Sequence, residues 1–351
     1  MLAHVTHILP VTNIQRERVL PRPGQVTVRK GQKVTPGDVI AEAVLIPEHD
    51  LLDIARGLGV SAQKADQYIQ RKVGEEVGEG DVIAGPVGMA RRVVRAPRPG
   101  KVVVVGSGQV LIQAESKPYE LRAGMDGVVT DLIPDLGAII TTSGALIQGV
   151  WGNGRMDFGL LNVQMRSADD TLTTDQLDVS LRGAVVLGGF CGDKNVLISA
   201  DELPLRGLIL ASMDSTLIPV AMKMRYPILL TEGFGKTPMS SAAFKLLSTS
   251  ARREVSVNAE VWNRYEGTRP EIIIPLPTSG EPALPSETTE FKIGQLVRIV
   301  RAPHKGKVGT LTYLHPGTAI LPNGLRARAA DLRLESGENL TLPLANIEVL
   351  E

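Results

Sequence analysis

Along the first 150 residues, short apolar runs alternate with glycine and proline, and one unit of that pattern recurs. Gly31-Gln32-Lys33-Val34-Thr35-Pro36-Gly37-Asp38-Val39-Ile40-Ala41 is matched by Gly74-Glu75-Glu76-Val77-Gly78-Glu79-Gly80-Asp81-Val82-Ile83-Ala84. A looser third copy joins Gly127-Val128-Val129 to residues 137–147, and Pro21-Arg22-Pro23-Gly24 is echoed by Pro97-Arg98-Pro99-Gly100. Valine and isoleucine suit strands, while glycine and proline supply turns. Each copy therefore predicts strand, glycine turn, short strand, second turn, strand. Between the first two copies, Leu51, Leu52, Ile54, Ala55 and Leu58 recur at helical spacing, which predicts a helical insertion at about 48–71. Gly57-Leu58-Gly59 breaks it, and Ser61 is placed to cap a second helix running through Tyr68 and Ile69.

Beyond residue 180 the pattern changes. Residues 184–189, 207–212 and 227–231 are continuous apolar runs, as in strands buried on both faces. Residues 215–224 and 240–247 read as helices, and 255–261 and 271–276 as further strands. Strand alternating with helix predicts an α/β unit with a partly parallel sheet. Four prolines within residues 275–286 then give an extended spacer. After it, Leu296, Val297 and Ile299, and two runs at 329–334 and 339–344 around a Ser336-Gly337 turn, predict a compact all-strand unit. The expected fold is multidomain and β-rich with an α/β middle: a β-rich module over 1–155, a small α/β domain over 180–277, a Pro-rich linker over 278–290 and a β-barrel over 291–351.

Composition narrows the functional classes. Lys+Arg and Asp+Glu balance at 38 each in 351 residues, so any contact with a polyanion must be local. Twelve aromatic residues are too few for a base-stacking platform of the single-strand type. One cysteine, Cys191, excludes an internal disulfide and fits a reducing compartment. The first 19 residues lack the apolar core of a secretory signal, and no long apolar run suggests a membrane span, so a cytoplasmic protein is expected. Neither a cysteine cluster nor a paired-histidine spacing points to a metal, and no Gly-x-Ser-x-Gly elbow points to a serine nucleophile. No catalytic residue, metal or cofactor is expected.

The densest chemical signal is Gly294 onward, GQLVRIVRAPHKGKVGTL, with Lys292, Arg298, Arg301, Lys305 and Lys307 in or beside it and no acid among them. This stretch resembles the KOW motif of ribosomal proteins and transcription elongation factors. It departs from that pattern at Ala302 and Leu311, where the family usually has glycine and valine. The resemblance implies an SH3-like barrel whose basic residues meet RNA, DNA or a ribonucleoprotein. Arg91, Arg92, Arg95, Arg98 and Lys101 form a second basic run that extends the expected footprint. The glycine-punctuated repeat resembles the barrel-sandwich hybrid of lipoyl and biotinyl carrier domains. In that family a modified lysine sits on a hairpin tip before an Ala-x-x-x-Gly-x-Val element, and Lys117 comes close to that spacing. Its neighbours, Ser116 and Pro118, depart from the family, and the expectation is an unmodified hairpin lysine. Ala221-Met222-Lys223-Met224 copies the end of a biotin attachment motif without its hairpin context, and is read as coincidence. The middle unit weakly resembles swivelling β/α domains, without the reactive histidine of the phosphotransfer version.

Ligands of open α/β sheets sit beyond the carboxyl ends of the strands. The loops there carry Asp214, Glu232, Gly233, Gly235, Lys236 and Thr237. Gly235-Lys236-Thr237 lies between strand and helix as in a phosphate loop, but Leu230 stands where that motif needs glycine. A helix N-terminus with a lysine would still hold one anion. Trp151 is expected to pack at a domain junction. The reading favoured is a non-catalytic binding protein, its C-terminal unit contacting nucleic acid or a ribonucleoprotein, with protein partners and no membrane. The alternatives are an enzyme-complex subunit with a small anionic-ligand site at the α/β loops, and a structural assembly component.

Overall fold

The computed structural model describes residues 2–44, 48–89, 91–115, 118–263, 268–277, 284–286, 288–321 and 323–351. The chain is β-rich, built from several sheets with short helices against them. Lys117 and most of the Pro-rich linker (278–283 and 287) lie outside the described residues.

The centre is an eleven-stranded sheet. Met156–Val163, Ala184–Cys191, Gly207–Met213 and Ile228–Phe234 lie parallel in it. Strand residues alternate between faces, and the packing follows that period of two. Val185, Leu187, Ile209 and Leu229 meet Ala243 and Leu247 of the helix Ser241–Thr249 on one face. On the other, Val186, Leu208, Leu210 and Ile228 meet Val196, Leu197 and Ala200 of the helix Lys194–Glu202. Gly207–Met213 is buried at every position, which is why its sequence is a continuous apolar run. The helix Lys194–Glu202 was not anticipated, although Asp193 caps it by accepting from the Asn195 N–H.

The boundary expected near residue 155 does not separate sheets. Gly137–Gln148 is a twelve-residue strand that pairs with Gly127–Ile133, with Ile8–Val19 and with Glu271–Pro275. It therefore runs from the repeat-bearing part into the mixed sheet. Met156–Val163, outside both expected domains, belongs to the parallel set.

The internal repeat is structural as well as sequential. Val129 N–H donates to Gln32 O as Val102 N–H does to Glu75 O, and Ala123 N–H donates to Asp38 O as Ala96 N–H does to Asp81 O. Asp38 and Asp81 close equivalent turns by accepting from Thr35 and Gly78. The proline-led echo is not equivalent. Gln25–Val26 is a two-residue strand on Val39–Ala43, whereas Gly100–Gly106 pairs with Glu76–Val77 and Gln109–Ala114. The insertion is less helical than its apolar spacing predicts: His49–Asp53 is a strand, and only Ile54–Leu58 and Ala62–Ala65 are α-helical. Pairing with Gln109–Ala114 overrides the local helical preference.

The C-terminal sheet has seven strands, in the order Thr288–Glu290, Leu2–Thr6, Ile347–Leu350, Leu296–Ile299, Val308–Leu314, Ala329–Leu334 and Asn339–Pro343. Its second member comes from the other end of the chain. Leu2–Thr6 runs parallel to Ile347–Leu350, and Ala3 and Val5 enter the core with Val297, Leu332 and Val349. Val308 and Leu350 also reach the core of the mixed sheet, so the two sheets are packed together.

Candidate ligand-binding cavity

The basic stretch is not a surface strip. Arg298 lies on the strand Leu296–Ile299 directly opposite Glu348, and is only 4% exposed. Its Nε donates to Glu348 Oε1 at 2.6 Å and its Nη1 to Glu232 Oε2 at 2.8 Å and to Thr231 O at 3.1 Å. Nη2 lies 2.5 Å from Glu348 Oε1, an ionic contact without hydrogen-bond alignment. Burial opposes the charge on this guanidinium, and the Glu348 and Glu232 carboxylates more than offset it, holding its pKa above the ordinary value. Arg298 is therefore one of the bonds between the C-terminal and mixed sheets, and its guanidinium is already held by two carboxylates. Its sequence neighbours are neutral, but Glu232 and Glu348 are acids brought in from far along the chain.

The other expected contacts divide. Lys307 is exposed and 3.5 Å from Glu338. Arg98 donates to Asp50 at 2.7 Å and also contacts Glu48, so the second basic run is not free of acids in space. Arg95 donates to Gly80 O at 2.7 Å. Lys101, Lys292, Arg301 and Lys305 are without an ion pair among the described residues; Lys101, Lys292, Arg301 and Lys305 are at least partly open to solvent. The turn between Leu296–Ile299 and Val308–Leu314 uses its glycines differently. Gly306 has φ +85°, and a Cβ on it would stand 2.5 Å from Thr237 Cγ2. Gly309 lies in the strand, where a Cβ would meet Arg333 O at 2.8 Å. The lysine-bearing bend thus sits on the Gly235-Lys236-Thr237 loop.

At that loop, the alternative place for an anion, several of the polar groups already have partners within the protein. Ahead of the helix Ser241–Thr249, the Ser240 N–H donates to Glu232 Oε1 at 3.0 Å. The protein's own carboxylate thus takes one donor at the start of this helix and sets a negative charge where an anion would have to approach. Asp214 is likewise engaged, accepting from the Thr216 N–H at 2.9 Å and hydroxyl at 2.8 Å, and these bonds lower its pKa. Lys236 and Gly235 are exposed, and the Thr237 N–H donates to Ser212 Oγ at 3.1 Å. Of the six loop residues only Glu232 and Gly233 reach the cavity described next.

Between the two sheets is a cavity of about 900 Å³, within the range of small-molecule sites. Arg301, Lys305 and Gly306 from the C-terminal unit line it together with Glu232, Gly233 and Phe234 at the carboxyl end of a parallel strand. The two sets of residues singled out as separate sites in the sequence therefore meet here. The wall holds four cations (Arg269, Arg298, Arg301 and Lys305) and two carboxylates (Glu232 and Glu348) among the described residues. Both carboxylates are engaged by Arg298.

Arg269, which the sequence reading passed over, is the chemically distinctive group. Its Nη1 donates to Val5 O at 3.1 Å, its Nη2 to Thr6 Oγ1 at 3.0 Å and its Nε to Gly149 O at 3.4 Å. Its guanidinium carbon lies 4.6 Å from the Trp262 ring centroid. No carboxylate pairs with it among the described residues. Burial lowers its pKa to about 10, Glu348 opposing and Arg298 adding to the shift. His7, 2% exposed, lines the same wall, and its Nδ1 has no hydrogen-bond partner among the described residues. Burial and then the Arg269 charge lower its pKa to about 4, so the imidazole is neutral at pH 7. Trp151 packs edge-on to Phe234 at 5.6 Å, and both face the cavity. The one signal available beforehand was that Trp151 and Trp262 are the chain's two tryptophans.

Elsewhere, burial pushes the Cys191 thiol up to about 11, the state of a structural cysteine. Lys223 follows the short helix Ile218–Ala221 and is exposed. Among the described residues no three His, Cys, Asp or Glu side chains are grouped as a metal site requires, and no helix is long and apolar enough to cross a membrane. No protein-family model matches the chain, and no curated protein matches it.

Proposed function

We propose that the chain is a non-catalytic binding protein that holds a small anionic molecule in the cavity between its mixed and C-terminal sheets. The observation that carries this reading is Arg269, a half-buried guanidinium on the cavity wall with no carboxylate partner among the described residues. This half-buried cation has three neutral acceptors and feels the Glu348 charge without pairing with it, and a ligand carboxylate or phosphate would supply a direct counter-charge. Arg301 and Lys305, at the same cavity, would draw an anion towards it. The reading is non-catalytic because both cavity carboxylates are committed, Glu232 to Arg298 and Ser240 and Glu348 to Arg298, which leaves the neutral His7 imidazole without a carboxylate or thiol beside it to complete a catalytic set among the described residues. Thermal melts in phosphate, citrate and benzoate test it by mass action. At least one anion should raise the melting temperature of the wild type and leave Arg269→Met unchanged. Equal stabilisation of both proteins, or of neither, would overturn the assignment.

A second reading has its own support. Lys292, Arg301 and Lys305 are without ion pairs among the described residues, and strand order and the glycine turn at Gly306 favour an SH3-like, KOW-type unit that touches nucleic acid or a ribonucleoprotein of the transcription or translation machinery. Three phosphate contacts would give a log–log salt slope of about −3 in filter binding. The triple Lys292→Glu/Arg301→Glu/Lys305→Glu variant should lose retention. On the same footing, we infer a barrel-sandwich-like origin for the duplicated cradles and a swivelling-like one for the α/β part, and a cytoplasmic setting for a chain with one buried thiol.

A further inference from the structure

We infer that the ligand of this cavity is a planar aromatic acid: a conjugated ring system bearing a carboxylate. The inference rests on the anion reading above and adds the chemistry of the ligand's body. The chain has two tryptophans and five phenylalanines, and the cavity lining takes both tryptophans together with Phe234 and Phe291. No tyrosine joins them among the described residues. In a chain with only twelve aromatic residues, four of them line this one cavity.

The arrangement favours a flat partner. Trp151 and Phe234 meet edge to face at 68° between ring planes, leaving rings presented in two orientations. Trp262 is 45% exposed although Arg269 covers it from one side, which leaves ring surface open. A conjugated ring packs by offset or edge-to-face contact against such surfaces, and a saturated ring of the same size does not gain that term. Arg269 spends three of its five N–H donors on Gly149 O, Val5 O and Thr6 Oγ1, which leaves one on each Nη for a ligand carboxylate. Its stacking on Trp262 brings the charge-binding and ring-binding surfaces side by side. The cavity of about 900 Å³ accommodates a two-ring acid.

Isothermal titration calorimetry of the full chain with three probes tests the inference. The probes are 2-naphthoate, its saturated analogue decahydronaphthalene-2-carboxylate, and the uncharged 2-naphthalenemethanol. 2-Naphthoate should bind about tenfold more tightly than either of the others, the gain expected from one or two aromatic contacts or from one charge-assisted bond pair. Arg269→Met should weaken both acids and leave the alcohol unaffected. Trp262→Leu, at a half-exposed position, should weaken the naphthoate more than the saturated acid. If the two acids bind equally and both depend on Arg269, the aromatic assignment is wrong while the anion site stands. If neither acid binds, or Arg269→Met changes neither, the anion reading falls and this inference with it.

Discussion

Replacing Arg298 with methionine should be the most damaging single change of charge in this protein. The substitution keeps most of the side-chain volume and removes the cation. It leaves Glu232, whose side chain is 1% exposed, and Glu348, at 11%, facing one another without the guanidinium between them. Glu232 keeps the Ser240 N–H as a neighbouring donor. Breaking a buried pair from one side costs about 3–5 kcal/mol, because the surviving charge is desolvated and uncompensated. Here two carboxylates are stranded, so about 4 kcal/mol or more is expected. The control is Arg298→Met/Glu232→Gln/Glu348→Leu, which removes all three charges while the amide oxygen introduced at position 232 still accepts from the Ser240 N–H. It should return to within about 1–2 kcal/mol of wild type, since neutral replacements of buried ion pairs are often harmless. Urea unfolding measures both by linear extrapolation, with Trp151 and Trp262, at the cavity this triad borders, as the fluorescent reporters. The exposed Lys307–Glu338 contact is the internal comparison, and Lys307→Ala should cost less than about 0.5 kcal/mol. A loss below about 1 kcal/mol for Arg298→Met, or a triple variant no better than the single one, would refute the idea of a desolvated lock.

Three further outcomes follow from the same structure. His7 has its pKa depressed from 6.5 to about 4 in the folded chain. The unfolded state then binds more protons between these values, so its contribution is complete above pH 6.5 and lost as pH falls towards 4. With allowance for screening through the neighbouring cavity this is about 2 kcal/mol, which His7→Gln should abolish in urea titrations across that pH window. A wild-type profile no steeper than the variant's would contradict it. Gly306→Ala forces a side chain into φ +85° and to within 2.5 Å of Thr237 Cγ2, and should cost about 1–2 kcal/mol by the same unfolding assay. Arg18 is 6% exposed, donates through Nε to Ala123 O at 3.1 Å, and has an Nη2 without a partner among the described residues. Burial lowers its pKa despite Glu271, so Arg18→Met should leave stability unchanged or raise it by up to about 2 kcal/mol, and a clear fall in melting temperature would count against this.

Local pattern carried the element types wherever burial has a simple period. The apolar runs of the parallel strands, the duplicated turn at Asp38 and Asp81, and the hairpin around Gly337 were all legible, because strand burial and turn chemistry act over a few residues. What depends on which distant segment fills an edge was not. Leu2–Thr6 joins a sheet made of residues beyond 287, and His49–Asp53 is a strand because Gln109–Ala114 is there to pair with it. Electrostatics followed the same division. The composition and the basic run could be read along the chain, but only tertiary folding brought Glu232 and Glu348 to Arg298, and Glu48 and Asp50 to Arg98. The cavity is the extreme case, since its wall is assembled from the first residues, the end of a parallel strand and the C-terminal unit. Amino-acid order decided most of the short strands and turns, His49–Asp53 being an exception. Whether a given charge would end in water, in an ion pair or beside an empty space was decided by contacts between residues far apart in the chain, from 48 positions for Arg98 and Asp50 to 264 for Arg269 and Val5, which no local pattern encodes.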